Sequence, residues 1–293
     1  MLKDRSSIGH VCMLSASVLW GLMAPFGKHA MSSGITGLTM VTFRVVGGAV
    51  LFWIASLFVR SERVPRADLF RLFLAALTGL VGSQCCYTLG LSLTSPVNAT
   101  IAVTTLPIFT LLLSIVLLRQ RVLWRKILGV VLGCAGAVLL ITASASGGKS
   151  GNIWGDLLCL TAQFSFSFYL ILFSPLLKKY SLFTVSKWMF LFSALVILPF
   201  SWSHLAALPW QHIDPLTWAE SAYMVLIGTF VCYMLVMLGQ QRLPPTVVSI
   251  YNYAQPVVAI VVSLVMGIGV FGLRQAFATA LVFVGVWFVM SNE

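Results

Sequence analysis

The sequence predicts an all-α integral membrane protein, in which ten transmembrane helices form two inverted five-helix repeats and both termini lie in the cytoplasm. Three observations predict this fold class. Of the 293 residues, 59% are hydrophobic and only 9% are charged, whereas soluble domains carry roughly a quarter charged residues. Ten apolar runs are long enough to cross a bilayer. The two halves of the chain also match each other at nearly one spacing.

The apolar runs are continuous rather than alternating, which indicates helices and not the strands of a membrane barrel. A soluble core could not hide so much apolar surface at this length. The first run is too long for a signal peptide and no small-residue cleavage site follows it, so we expect it to be retained. Numbered in chain order, the predicted helices occupy residues 9–31, 36–59, 69–91, 97–118, 126–144, 152–177, 184–203, 216–239, 246–267 and 274–290.

The basic residues predict the orientation of these helices. Lys28, Lys149 and Arg274 lie on one side of the membrane and Arg44 lies within the second helix. The other 14 of the 18 lysines and arginines lie on the side of the N-terminus. Cytoplasmic loops carry the excess of basic residues, so this side is predicted to be cytoplasmic. Because the net charge of +11 is explained by these loops, no nucleic-acid partner is expected.

An internal repeat divides the chain into residues 1–148 and residues 149–293. A repeat of five helices crosses the membrane an odd number of times, so its second copy is inverted, with a substrate site expected near the midplane between the copies. Shared membrane composition is the alternative explanation of the matches. The matched residues are Gly82, Cys86 and Tyr87 with Gly228, Cys232 and Tyr233, and Pro96, Pro107, Ser114 and Gly136 with Pro245, Pro256, Ser263 and Gly285.

Several short motifs accompany this plan: Trp20-Gly21, Phe43-Arg44, Thr104-Thr105-Leu106-Pro107 and a fifth helix with Gly129, Gly133 and Gly136. With these motifs the chain resembles the drug/metabolite transporter superfamily of the EamA type, whose domain is each five-helix half. The resemblance implies a multi-pass transporter of the bacterial inner (plasma) membrane, most like exporters of aromatic and other apolar amino acids. One departure is that relatives often carry a glutamate where this chain has Gln120 and Gly269.

The candidate ligands are polar and aromatic residues in the middle of the predicted helices. Polar groups that face lipid are unfavourable, so we expect most of them to face the interior. Tyr251 and Gln255 share one helix face and Asn252 and Pro256 another, and one of these faces is expected to line the cavity; hydrogen bonding between helices is the alternative. The predicted substrate-binding residues are Trp20, Arg44, Gln84, Tyr87, Asn98, Thr104, Gln163, Phe166, Tyr169, Tyr233, Tyr251, Asn252 and Gln255.

Arg44 lies roughly 12 Å along the second helix, at about 1.5 Å per residue. An arginine at this depth either binds a substrate carboxylate, or snorkels, or packs between helices. Pro107 and Pro256 each remove a helical hydrogen bond and kink the helix. They are interpreted either as hinges beside the substrate path or as static kinks.

Acidic residues are absent from the middle of every predicted helix, because Asp156 and Glu220 lie in first turns. The sequence therefore predicts alternating access without a buried carboxylate, and a neutral solute with an apolar side chain as the substrate. No metal site, cofactor or enzymatic motif is recognised. The alternatives are a carrier of sugars, purines or drugs, an importer, or, less in keeping with the sequence, an embedded enzyme or scramblase. The glycine-rich fifth helix predicts close packing, and the chain is expected to be a monomer or weak homodimer.

Overall fold

The computed structural model describes residues 2–60, 62–118, 124–145, 152–243, 247–248, 251–268 and 271–290, and these residues form helices and short turns without any strand. The helices are α1 (Leu2–Ser32), α2 (Gly37–Ser56), α3 (Arg66–Leu93), α4 (Pro96–Val103 and Leu106–Leu118), α5 (Trp124–Ala145), α6 (Ile153–Lys179), α7 (Leu182–Ala206), α8 (Pro215–Arg242), α9 (Tyr251–Tyr253 and Ala254–Val265) and α10 (Leu273–Met290).

Each predicted apolar run coincides with one of these helices. Within the described residues, seven helices are long and apolar enough to span a membrane, and shorter apolar stretches occur in α5, α9 and α10. The all-helical membrane class is thereby confirmed. The count of ten crossings and the cytoplasmic position of the termini stay predictions.

Small polar residues cap the N-termini of several helices, just before the apolar runs begin. The side-chain oxygens of Thr36, Ser95, Ser181 and Asp214 each accept a hydrogen bond from the backbone N–H three residues later. Such caps satisfy backbone donors that the first helical turn leaves unpaired. These turns therefore begin α2, α4, α7 and α8 without leaving all of their first N–H groups bare in the membrane interface.

Two helices contain π-helical segments, which the sequence analysis did not predict. They are Leu77–Cys85 in α3 and Leu226–Val231 in α8, and their first residues are 149 positions apart. Each π turn places an additional residue in the helical circuit. The side chains that follow it are therefore rotated away from the face that a regular helix would give them.

Helices α4 and α9 are interrupted immediately before their prolines. In α4 the backbone N–H groups of Thr104 and Thr105 donate to the carbonyls three residues earlier, over 3.0 and 3.1 Å. In α9 a 3₁₀ turn, Tyr251–Tyr253, precedes the helical residues that contain Pro256. Both interruptions lie where a proline kink was predicted. Their role as hinges stays a prediction.

The glycine-rich face of α5 packs against α10. A Cβ atom added at Gly136 would lie 2.6 Å from Cγ2 of Val282 and 2.9 Å from the Ala278 carbonyl oxygen. One added at Gly285 would lie 2.6 Å from the Gly129 carbonyl oxygen. Neither position has space for a side chain, so these glycines allow close approach of the two backbones. The predicted packing role is therefore met within one chain, and the oligomeric state stays a prediction.

Close glycine contacts also recur between α3 and α6 and between α1 and α8. The Cβ position of Gly90 in α3 lies 2.7 Å from Sγ of Cys159, and that of Gly239 in α8 meets the sulfur of Met13. Gly239 lies 149 positions after Gly90, and Cys159 lies 146 after Met13. Paired helices in the two halves therefore use glycine at matching positions to pack against each other.

Candidate functional site

A cavity of about 50 Å³ lies between α1, α2, α3, α4, α6 and α9. The lining combines aromatic and aliphatic side chains with amides, hydroxyls and one guanidinium group. The lining residues are Trp20, Met23, Arg44, Ser83, Gln84, Tyr87, Val103, Gln163, Phe166, Asn252 and Gln255.

Arg44 supplies the charge of this cavity. Its side chain is only 2% exposed, and its Nε donates to Oγ1 of Thr229 over 3.0 Å. Its Nη1 donates to Oγ1 of Thr88 over 3.3 Å. Within the part of the chain that the structure describes, no carboxylate forms an ion pair with it. The guanidinium therefore turns into the protein rather than to the bilayer surface. Its bonds to α3 and α8 suit the packing interpretation, and its position on the cavity suits the ligand interpretation.

Gln84 lines the cavity and carries an unpaired hydrogen-bond acceptor. Its Nε2 donates to the hydroxyl of Tyr233 over 2.5 Å, while its Oε1 is buried and has no partner among the described residues. Leaving a buried acceptor unpaired costs about 1–3 kcal/mol. A donor on a bound solute, such as an ammonium or hydroxyl group, would remove this unfavourable term.

Further amides lie on α6 and α9. The side chain of Gln163 is 6% exposed, and those of Asn252 and Gln255 are 3% and 5% exposed. Nε2 of Gln255 donates to Oδ1 of Asn252 over 2.6 Å. This bond joins residues on either side of the change from 3₁₀ to α-helix in α9, so it holds the two amides together there.

Aromatic rings also line the cavity. The indole Nε1 of Trp20 donates to the Gly228 carbonyl over 2.8 Å, within the π segment of α8. Phe166 stacks on Tyr169 with ring centroids 5.5 Å apart. Each of these two rings therefore has a neighbour that fixes its orientation.

The structure places five predicted ligands outside the cavity. Tyr169 and Tyr233 form a second layer behind Phe166 and Trp20. The hydroxyl of Thr104 donates to the Ile101 carbonyl over 2.6 Å, within the α4 interruption. Asn98 lies against Asp156 at one end of the molecule, and Tyr251 lies against His10 at the other. These five side chains contact other protein groups instead of lining this cavity, and their part in substrate binding stays a prediction.

Three lining residues were missed by the sequence analysis. Met23 follows Trp20 by three positions and so shares its helix face, which was a usable signal. Ser83 reaches the cavity from within the π segment of α3, and the sequence contains no signal for that segment. Val103 is the last residue before the turn in α4. The positions of Gln120, Lys149, Pro245 and Gly269 lie outside the described residues.

Polar contacts join helices of the two halves at both ends of the molecule. At the end that contains the start of α1, Nζ of Lys179 lies 2.6 Å from Oδ2 of Asp68. The hydroxyl of Tyr180 donates to the same carboxylate over 2.5 Å, and this bond raises the pKa of Tyr180. At the opposite end, Nδ1 of His29 lies 2.8 Å from Oε2 of Glu220. We call these the Asp68 contact and the Glu220 contact.

The expectation that the chain buries no carboxylate was wrong. Asp156 is fully buried and accepts a hydrogen bond of 2.6 Å from Thr94, while Glu220 is 6% and Asp68 is 4% exposed. As expected from the sequence, these carboxylates do not lie in the middle of a helix. They are nevertheless buried, because α1, α3, α4 and the residues after α6 cover them. None of the three lines the cavity, where Arg44 is the one charged residue among the lining residues that the structure describes.

Comparison with known proteins places this architecture in a family. The model of the EamA-like transporter family matches residues 7–142 and 153–291. The chain is 25% identical to "Uncharacterized transporter YetK" of Bacillus subtilis, over 78% of this chain and 69% of that protein. It is 22% identical to an "Uncharacterized transporter" of Archaeoglobus fulgidus, over 94% and 95% of the two chains. It is 23% identical to "Uncharacterized inner membrane transporter YicL" of Salmonella typhimurium, over 88% and 87%.

A solved structure supports the fold independently. It aligns with a TM-score of 0.69 at 20% identity, over 98% of this chain and 97% of that one. Two stretches that match one family model, together covering nearly the whole chain, and a fold shared along its full length lead to one conclusion. The chain belongs to the EamA-like transporter family and is a multi-pass membrane transporter.

Proposed function

We propose that this transporter exports neutral amino acids with aromatic or other apolar side chains, by alternating access. One observation supports the substrate class above all. The cavity combines a single buried cation, Arg44, with an unpaired acceptor, Gln84 Oε1, beside a wall of apolar rings. A carboxylate, an ammonium group and an apolar side chain on one small molecule match these three features.

The proposed fit assigns one part of the solute to each feature. Arginine binds carboxylates through parallel N–H donors, so the carboxylate goes to Arg44. The ammonium group donates to Oε1 of Gln84, and the apolar side chain packs against Trp20, Met23 and Phe166. A solute with a net positive charge is repelled by Arg44. A phosphorylated solute needs more cations than the described lining offers.

The two-repeat arrangement supports the proposed mechanism. The contact of Gly136 with Val282 has a reciprocal counterpart, in which the Cβ position of Gly285 lies 2.7 Å from the Gly133 nitrogen. Gly285 and Val282 lie 149 positions after Gly136 and Gly133. Reciprocal contacts of this kind arise where a twofold axis relates two units. We propose that residues 1–148 and 149–293 are inverted copies that rock about the cavity.

Export and location in a bacterial inner membrane belong to the same proposal. The name of the Salmonella relative places that protein in an inner membrane, and the basic residues of this chain favour a cytoplasmic N-terminus. A carrier of sugars, purines or drugs, and an importer, are the alternatives. No lining residue favours them over amino acids.

Counterflow in proteoliposomes tests the proposal. Purified protein is reconstituted with an unlabelled solute inside, and uptake of trace labelled solute is measured for phenylalanine, leucine, lysine, glutamate, glucose and adenine. We expect uptake of phenylalanine and leucine to be at least tenfold above that of the other four solutes. Vesicles prepared without the protein should show no such uptake. Preferred exchange of glucose, adenine or lysine would refute the substrate class while leaving the family assignment intact.

A further inference from the structure

A second cavity opens on the outer surface of the helix bundle, away from the Arg44 site. It is a groove of about 520 Å³ between α2, α7 and α8, and it shares no lining residue with the first cavity. Phe43 and Val46 of α2, Leu198 and Leu205 of α7 and Trp218 and Leu226 of α8 form most of its walls. We call it the lateral groove.

The walls of the lateral groove offer few polar groups to a ligand. Thr42 donates to the Leu38 carbonyl over 2.9 Å and Ser221 donates to the Thr217 carbonyl over 2.7 Å, so neither hydroxyl has a proton left to donate. Among the other lining residues that the structure describes, the indole N–H of Trp218 is the one side-chain donor. Water needs two to four polar partners to remain in a cavity, so most of this groove suits hydrocarbon better than water or a polar solute.

The surface around the lateral groove faces hydrocarbon. Val50 on α2 is 52% exposed, Leu195 on α7 is 64% exposed and Leu226 on α8 is 48% exposed. In a chain that spans a membrane, large apolar side chains with this exposure lie against lipid. The groove is therefore filled from the bilayer.

One end of the groove is capped by aromatic rings. Trp210 and Trp218 stack with centroids 5.8 Å apart, and Phe43 lies 6.0 Å from each of them. Trp210 belongs to the short loop before α8 and is half exposed. Tryptophan prefers the boundary between hydrocarbon and headgroups, so the groove runs from this boundary toward the membrane interior, as a lipid chain does.

We propose that the lateral groove binds one acyl chain of a membrane phospholipid, with the headgroup beside Trp210 and Trp218. The groove lies between α2 and α8, which the proposed repeats assign to different halves of the protein. An ordered chain there would pack against both halves. Because none of the described residues that line the groove is a lysine or an arginine, the site recognises the acyl chain and not the charge of the headgroup.

Native mass spectrometry of the full-length protein tests this proposal. Delipidated protein in detergent is titrated with dipalmitoyl phosphatidylcholine and, separately, with dipalmitoyl phosphatidylglycerol. Val46→Phe and Ala222→Phe fill the groove, and Val50→Phe is the matched control, because it makes the same change one helical turn away on α2, outside the groove. We expect each unmodified protein to bind one lipid molecule more tightly than any further ones. The affinities for the two kinds of lipid should lie within threefold of each other. Both groove variants should lose at least tenfold in affinity, and Val50→Phe less than twofold.

Three results would overturn the proposal: no saturable lipid, equal loss in Val46→Phe and Val50→Phe, or a preference above tenfold for phosphatidylglycerol, which would indicate a headgroup site. If the groove variants do not fold, fluorescence gives a second test. Lipids brominated on the acyl chain should quench the unmodified protein more than Trp218→Phe, and equal quenching would contradict a chain beside Trp218.

Discussion

Arg44 concentrates the chemistry of the cavity in one side chain. Burying a cation is unfavourable unless hydrogen bonds and opposite charge compensate it. Threonine hydroxyls on two other helices supply the hydrogen bonds, but these partners are neutral. In the proposed function a substrate carboxylate supplies the missing opposite charge, so the bound substrate would stabilise the buried guanidinium.

Replacing Arg44 by glutamine should raise the KM for phenylalanine export at least tenfold. A hydrogen bond to a charged group contributes about 1.5–3 kcal/mol, which corresponds to roughly a ten- to hundredfold change in affinity. Proteoliposome uptake kinetics measure the change. Lys28→Gln is the control, since Lys28 donates to the carbonyls of Leu91 and Ser92 at the end of α3. An equal rise in KM in both variants would contradict the role given to Arg44.

Two predicted ligands now separate by position. Gln163→Ala removes an amide that lines the cavity, and we expect the KM to rise about three- to tenfold, in line with the loss of one hydrogen bond of about 0.5–1.5 kcal/mol. Tyr251→Phe removes only the hydroxyl that bonds to His10 over 2.5 Å, outside the cavity. Its KM should stay within twofold of the unmodified value. The reverse pattern in the same kinetic assay would show that Tyr251 binds the solute.

At the scale of the helix, the sequence predicted where the helices lie better than which side chains face the cavity. Long apolar runs predict helices because a helix pairs all of its backbone polar groups within the bilayer. Polar side chains in the middle of a helix, such as Gln163, were expected to face the interior because contact with lipid is unfavourable for them. Ser83 was missed because the π segment of α3 rotates it into the cavity. Thr104 does not line the cavity, and its hydroxyl donates to the Ile101 carbonyl within the turn before Pro107. Irregularities of the helix arise from tertiary packing, which no single-helix pattern contains.

The α5–α10 contact gives a stability prediction at this scale. Gly136→Ala puts a methyl group where Val282 and a backbone carbonyl stand within 3 Å, so the helices must separate. Overpacking of this kind costs about 1–3 kcal/mol. We expect a lower midpoint of thermal unfolding in detergent, and a change of less than 1 °C for Cys134→Ala on the exposed face of the same helix. Equal midpoints in the two variants would contradict the close contact.

Across the whole molecule, the Asp68 and Glu220 contacts hold the two halves together at opposite ends. The Asp68 contact joins α3 to the end of α6, and the Glu220 contact joins α1 to α8. Since α1 and α3 belong to one proposed repeat and α6 and α8 to the other, we propose that each contact closes one entrance to the cavity when it is formed. Alternating access then requires that one contact breaks while the other holds.

Weakening one contact should therefore favour opening at its own end. Asp68→Asn removes the ion pair with Lys179 and should increase access to the cavity from the side where α1 begins. Glu220→Gln should increase access from the opposite side. The measurement is the rate at which a membrane-impermeant thiol reagent, added to one side, modifies Ser83→Cys in a background without the six native cysteines. Equal rates from both sides in both variants would show that the contacts do not control the entrances.

The most direct test of the proposed transport path uses the same Ser83→Cys protein without further changes, because Ser83 lines the cavity beside Gln84. We expect the thiol to be modified from either side of reconstituted vesicles. Phenylalanine should slow both reactions at least threefold, while glucose should slow neither. Modification from one side only, or equal rates with and without phenylalanine, would contradict the claim that an apolar amino acid crosses the membrane through this cavity.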